Sequence, residues 1–125
     1  MSVTWKSFLK LEFTVNIKNN EESHHPLKPA APYNNSTTFL KGKEYTFSAY
    51  TTDPDGDNLY YKFNYTNYFG DGTYNSEWLG PYSSGETINK TFSWNVKDNF
   101  YIRVVAKDSN GEIGPWSDAK DVNIQ

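Results

Sequence analysis

Three carboxylates at alternate positions, Asp53-x-Asp55-x-Asp57, are the residues of this chain best placed to do chemistry. Pro54 and Gly56 shape a tight loop between them, and hard oxygen ligands at that spacing suit Ca2+. A complete EF-hand loop is absent, because the twelfth position holds Asn64 rather than Glu. Asn64 is the nearest candidate for a later ligand. If the three carboxylates converge, their repulsion destabilises the metal-free loop, and Ca2+ raises the melting temperature. Asp55→Ala is then expected to remove the effect. The competing account is that Asp, Pro and Gly are simply good turn formers.

A second candidate is aromatic. Tyr60, Tyr68, Tyr74, Trp78 and Tyr82 make a surface for sugars or protein partners if they are exposed in one row. Packed under a long loop, they are core instead. Asn34, Asn35, Asn64 and Asn89 each begin an Asn-x-Ser/Thr sequon, which is compatible with export and glycosylation. His24-His25 suggests a metal ligand, but no other His and no Cys completes a usual zinc set, so solvated histidines are the better account.

Catalysis finds little support. A Ser-His-Asp triad would require the stretch around His24 and His25 to fold back on the rest. Asp71 and Glu77 offer a carboxylate pair for glycoside hydrolysis, but a small β domain lacks the deep cleft such chemistry uses. The expectation is a non-enzyme.

The elements that hold these residues follow from composition and period. The 125 residues make one domain with a tail. Hydrophobic residues are 36% of the chain, yet aromatics are 18%, enough large side chains to fill a small core despite a mean hydropathy of −0.81. A net charge of −3 and a pI near 5.3 argue against nucleic acid as a partner. The absence of Cys excludes disulfides, thiolate metal sites and a Cys nucleophile. No stretch has the apolar length of a membrane span, so no membrane insertion is expected. Lys6, Lys10 and Glu12 interrupt any signal-like apolar run, so an exported protein would be represented by a mature or excised form.

Residues 1–18 alternate with period two: Val3, Trp5, Leu9, Leu11, Phe13, Val15 and Ile17 share one face. This predicts a strand that ends a preceding domain or is donated to a neighbouring subunit. Residues 19–32 are polar and Pro-punctuated, and read as an extended linker. Residues 33–125 read as a β-sandwich domain of short strands split by turns. Tyr45, Phe47, Ala49 and Thr51 share a face in residues 44–52. Leu59, Tyr61, Phe63 and Tyr65 do so in 59–65, Ile88, Phe92, Trp94 and Val96 in 87–96, and Phe100, Ile102, Val104 and Ala106 in 100–107. Residues 121–125 make a last strand, and no helix is expected.

In this order, Thr52-Asp53-Pro54-Asp55-Gly56-Asp57, Tyr60-Tyr61-Lys62-Phe63, Gly70-Asp71-Gly72 and Glu77-Trp78-Leu79-Gly80-Pro81-Tyr82 form one block. Ile102-Arg103-Val104, Ala106-Lys107-Asp108 and Gly114-Pro115-Trp116-Ser117-Asp118 form another. Together they resemble polycystic-kidney-disease (PKD)-type repeats, above all the tandem forms on archaeal and bacterial surface proteins. The resemblance covers about residues 27–125. It implies an all-β, immunoglobulin-like antiparallel sandwich, preceded here by the N-terminal strand and linker, that works at the cell surface as a stalk, spacer or adhesion module. Its implied partners are neighbouring domains or subunits; surface glycans are the partners that an exposed row of the aromatic candidates would take. Two departures stand out: Asn64 replaces an expected Asp, and Asp98 with Phe100 replaces a Gly-x-Tyr, which removes a tyrosine-corner hydroxyl. A filament subunit and a carbohydrate-binding module are the alternative functions.

Overall fold

The computed structural model describes residues 24–70 and 72–125, so the alternating row of residues 1–18 and Asp71 lie outside the described residues. Seven strands follow one another: β1 (Tyr45–Ala49), β2 (Leu59–Asn67), β3 (Tyr74–Asn75), β4 (Leu79–Tyr82), β5 (Ile88–Phe92), β6 (Asp98–Asp108) and β7 (Lys120–Ile124). The long alternating runs form the central pair. β2 and β6 are antiparallel from Leu59 opposite Asp108 to Asn67 opposite Phe100. β7 extends this sheet on the free edge of β6, and β4 and β3 line the other edge of β2. β1 and β5 make the second sheet, in register from Tyr45 opposite Phe92 to Ala49 opposite Ile88.

Period two sends one face of each strand into the space between the sheets. Phe47, Leu59, Tyr61, Phe63, Ile102, Val104 and Val122 are fully buried there. Rings fill the far end. Tyr65 lies 5.1 to 5.5 Å, centroid to centroid, from Tyr74, Phe92, Trp94 and Phe100, mostly edge to face. Such pairs stabilise by about 0.5–1.5 kcal/mol each beyond their buried area. Phe100 carries no hydroxyl, as the sequence requires, but two other tyrosines pin loops. Tyr61 accepts a bond from the Thr51 amide at 3.0 Å, and Tyr45 accepts one from the Leu40 amide at 2.6 Å.

The linker expected over residues 19–32 is corrected for its described part. Residues 24–32 lie against the sandwich, with Pro26 and Pro32 fully buried. The Leu27 amide bonds the Thr52 carbonyl, the Thr51 hydroxyl bonds the Leu27 carbonyl, and Tyr33 bridges to Ser48. Phe39 then pairs in parallel with Ile124, so this segment runs from the edge of one sheet to the edge of the other. Proline has an apolar ring and no N–H to leave unpaired, so it suits a sheet edge as well as a free linker. Composition does not separate the two.

Three smaller corrections follow. β3 and β4 were not expected, being short and weakly alternating. Val96 does not join the core face of its strand and is 56% exposed, whereas Trp94, also past the last pair with β1, is 4% exposed. Val105 faces away from the core, yet is 1% exposed.

The docked segment makes a clear expectation. A chain lacking residues 1–23 should unfold cooperatively in urea. A chain lacking residues 1–32 should lose about 3 kcal/mol or more, since two buried rings and the edge bonds go. Equal stability of the two truncations would show that the segment does not pack. Gly114→Ala should act in the same direction as the longer truncation, because an added Cβ would stand 2.3 Å from the Pro26 carbonyl oxygen.

Candidate functional site

Two turns at the same end of the sandwich share one design. Asp53-Pro54-Asp55-Gly56 follows β1, and Asp108-Ser109-Asn110-Gly111 follows β6. Each closes with the glycine amide bonding back to the first carbonyl, Gly56 to Asp53 at 2.9 Å and Gly111 to Asp108 at 3.0 Å. Both glycines hold positive φ, +74° and +89°, which strains other residues. Each leading aspartate also caps its own turn. Asp53 Oδ2 accepts the amides of Asp55 and Asp57 at 3.0 and 3.1 Å, and Asp108 Oδ1 accepts those of Asn110 and Glu112, both at 2.9 Å.

Each caps with one oxygen only. Asp53 Oδ1 and Asp108 Oδ2 are buried and find no partner, although their residues are 6% and 1% exposed. The register explains how they meet. Asp108 is the last residue of β6, opposite Leu59, so its turn lies beside the loop that leads into β2. Oxygens of Asp53, Asp57 and Asp108 all fall within 4.8 Å of one another. Two oxygens held by one Ca2+ at 2.3–2.6 Å can be at most about 5 Å apart, so the three can serve one ion. An orphaned buried carboxylate oxygen is costly, and a hard cation is the chemistry that would satisfy two at once.

The cluster differs from the expected Asp53, Asp55 and Asp57. Asp55 turns outward and pairs with His24 at 2.9 Å, both side chains well exposed. Alternation across a turn does not put side chains on one side, and the Asp53 cap fixes the backbone so that Asp55 faces out. Asn64 is no later ligand; it donates to the Tyr74 carbonyl and to Asn75 Oδ1 in mid-sheet. Asp108 was missed. The signal that finds it is the recurrence of Asp-x-Asp/Asn-Gly at the ends of two strands. His25 bonds the neighbouring Pro26 carbonyl.

Charge is concentrated accordingly. Burial, then the carboxylates of Asp53, Asp55 and Asp108, hold the Asp57 carboxyl above its ordinary value, and His24 offsets part of this. The other direct contact is weak, from Asn110 Nδ2 to Asp57 Oδ2 at 3.4 Å.

The five aromatics do not form one row. Tyr74 and Tyr82 pack against the core, on Tyr65 and Tyr61. Tyr68 is 69% exposed at the β2–β3 turn, edge-on to Phe69. Tyr60 and Trp78 lie on the outer face of the larger sheet, both touched by Lys107. Of the sequon asparagines, Asn35 and Asn89 are exposed. Asn34 Nδ2 is engaged with the Thr46 carbonyl at 2.7 Å, and Asn64 Nδ2 as above. A cleft of about 250 Å³ between residues 30–33 and β1 is lined by Ala30, Ala31, Tyr33, Ser48, Ala49, Tyr50 and Thr87. It holds no carboxylate or histidine to move a proton.

Compared with known proteins, the chain matches the PKD domain over residues 30–118. The PKD domain of an M14-like peptidase from a Thermoplasmatales archaeon is similar at 32% identity and a TM-score of 0.67, over 80% of this chain and 95% of that one. A superoxide reductase (neelaredoxin) of Ignicoccus hospitalis shares the fold alone, at 4% identity and a TM-score of 0.54, over 81% of this chain and 82% of that one. No curated protein matches.

The raised Asp57 carboxyl has a testable sign. A carboxyl that binds its proton more readily in the folded chain stabilises most below its unfolded value. That contribution is lost as pH rises through its folded value. Metal-free protein should therefore lose melting temperature as pH rises from the ordinary carboxylate range, and Asp57→Asn should flatten this fall and be the more stable at neutral pH. A variant with the parent's pH profile would show that Asp57 is not under repulsion.

Proposed function

Because the chain belongs to the PKD domain family, we propose that it is a non-catalytic module of an extracellular protein, one that spaces its neighbours and is stiffened at one end by Ca2+. PKD domains are generally non-catalytic and typically extracellular parts of larger proteins. No helix among the described residues is long and apolar enough to cross a membrane. The observation that carries the calcium reading is that Asp53 and Asp108 each leave one buried oxygen unpartnered in a cluster where oxygens of Asp53, Asp57 and Asp108 lie within 4.8 Å of one another. The spacer reading rests on where the described ends lie. His24 meets the Asp55 turn, and Gln125 bonds Phe39 and Lys41 at the opposite end of the sheets. A pull on either side is carried along the strands. A cation beside Asp53 would tighten the loop to which residues 24–27 dock.

A second reading is favoured by the 32% identity to a domain carried by a peptidase. The module would then hold an enzyme near its substrate without sharing in the chemistry. Strand donation into a filament would need a bare sheet edge. Among the described residues β5 pairs with β1 on one side only, which supplies one. Sequence alternation in residues 3–17 is the sole support for the donated strand.

Ca2+ at ten times its dissociation constant should stabilise the chain by about 1.4 kcal/mol, roughly 5–10 °C in melting temperature for a domain of this size. Asp108→Asn should abolish the gain, and Asp55→Ala should keep it. No gain in the parent chain, or a gain that depends on Asp55 and not on Asp108, would contradict the proposed ligand set.

A further inference from the structure

Beyond the spacer reading, we propose that the outer face of the five-stranded sheet binds an acidic polysaccharide. The residues of β2 and β6 that point away from the core pair as Tyr60 with Lys107, Lys62 with Val105, and Asn64 with Arg103. Lys62, Arg103 and Lys107 therefore surround Val105 on adjoining strands, at the distances of direct and diagonal neighbours, about 5–8 Å. Val105 is 1% exposed on this solvent side.

Asp121, opposite Tyr101, is on the same face and diagonal to Arg103, but no ion pair joins them. Among the described residues, none of the three cations is in an ion pair or donates a side-chain hydrogen bond. Three like charges this close oppose one another, and they do so in a chain whose net charge is −3. The lysine heads are nevertheless held in place. The ammonium groups of Lys62 and Lys107 lie 4.8 and 4.5 Å from the centre of the Trp78 indole, and Lys107 is 5.6 Å from that of Tyr60. Cation–π contact leaves the outward donors free and removes rotamer freedom in advance, so binding an anion there loses less entropy.

The spacing of the cations selects the anion. Arg103 and Lys107 are four residues apart on an extended strand, about 13 Å. That suits an extended polymer with widely spaced carboxylates. Duplex nucleic acid carries a charge every ~1.7 Å and calls for many more cations than three. An acidic peptide would gain from main-chain pairing, but β2 is paired on both edges, and β6 is flanked by β2 on one side and by residues 113–117 and β7 on the other. Sugar rings ask for no such pairing, and Tyr60 at the margin offers a ring to stack against.

The test is affinity electrophoresis of the full chain in native gels containing polygalacturonate, dextran or polyglutamate, at low salt and with chelator. Polygalacturonate should retard the chain, and dextran and polyglutamate should not. Lys62→Gln with Lys107→Gln should weaken binding at least tenfold, and Lys62→Arg with Lys107→Arg should retain it. Arg103→Gln, which leaves the Trp78 contacts in place, should weaken it several-fold and serves if the double Gln variant does not fold. No retardation by polygalacturonate, equal retardation by polyglutamate, or unchanged affinity in the Gln variants would overturn the proposal. The chelator keeps the result independent of the Asp53 site, so either reading can fail without the other.

Discussion

The antiparallel ladder between β2 and β6 is the constraint on which the rest of the molecule depends. Its register runs unbroken from Leu59 and Asp108 to Asn67 and Phe100. Period two then decides three things together. It sends Tyr61, Phe63, Ile102 and Val104 inward to a dry core. It sends Lys62, Arg103 and Lys107 outward to the opposite face. It also ends β6 at Asp108, level with the loop that carries Asp53 and Asp57. A slip of one residue would exchange the two faces and move Asp108 away from that loop, so the core, the cationic face and the carboxylate cluster are specified by one pairing.

At the loop end, the physics is that of charge removed from water. Asp53 and Asp108 are placed where an ionised group is expensive unless it is bonded. Half of each carboxylate meets that need through the amides of its own turn. The other oxygen of each is left unpartnered, in a cluster that also holds Asp57. A turn would hold its shape with the capping oxygen alone. The second, unpartnered oxygen gives this end a reason to be read as more than two turns. The aromatic end around Tyr65 leaves one polar atom unpartnered as well, the buried Trp94 Nε1, but that group is neutral and costs less than a charge.

Much of this was legible in the sequence. Alternating Tyr45, Phe47 and Ala49, Leu59 to Tyr65, and Phe100 to Ala106 identified strands and their buried faces, because burial on one side leaves a period-two record. The ordered turn motifs identified the PKD-type sandwich. Legibility ended where tertiary proximity decides. Residues 24–32 carry the composition of a linker, and only the fit of Pro26 against Gly114 and the bonds of Leu27 to Thr51 and Thr52 make them an edge. Asp55 stands in the right stretch but on the wrong side of its turn, whereas Asp108 is 55 residues from Asp53 and joins it only through the fold. Tyr74 and Trp78 look alike as exposed aromatics in the sequence. One packs under the core and the other carries two lysines on its outer side.

The account's central claim is that the turn after β1 and the turn after β6 form one cation site. The most direct measurement is a Ca2+ titration followed by amide nuclear magnetic resonance. The account predicts that the amides of Asp55 and Asp57, which cap on Asp53, and those of Asn110 and Glu112, which cap on Asp108, shift together along a single binding curve. Shifts confined to the Asp53 turn, or no shift at either turn at millimolar Ca2+, would contradict it.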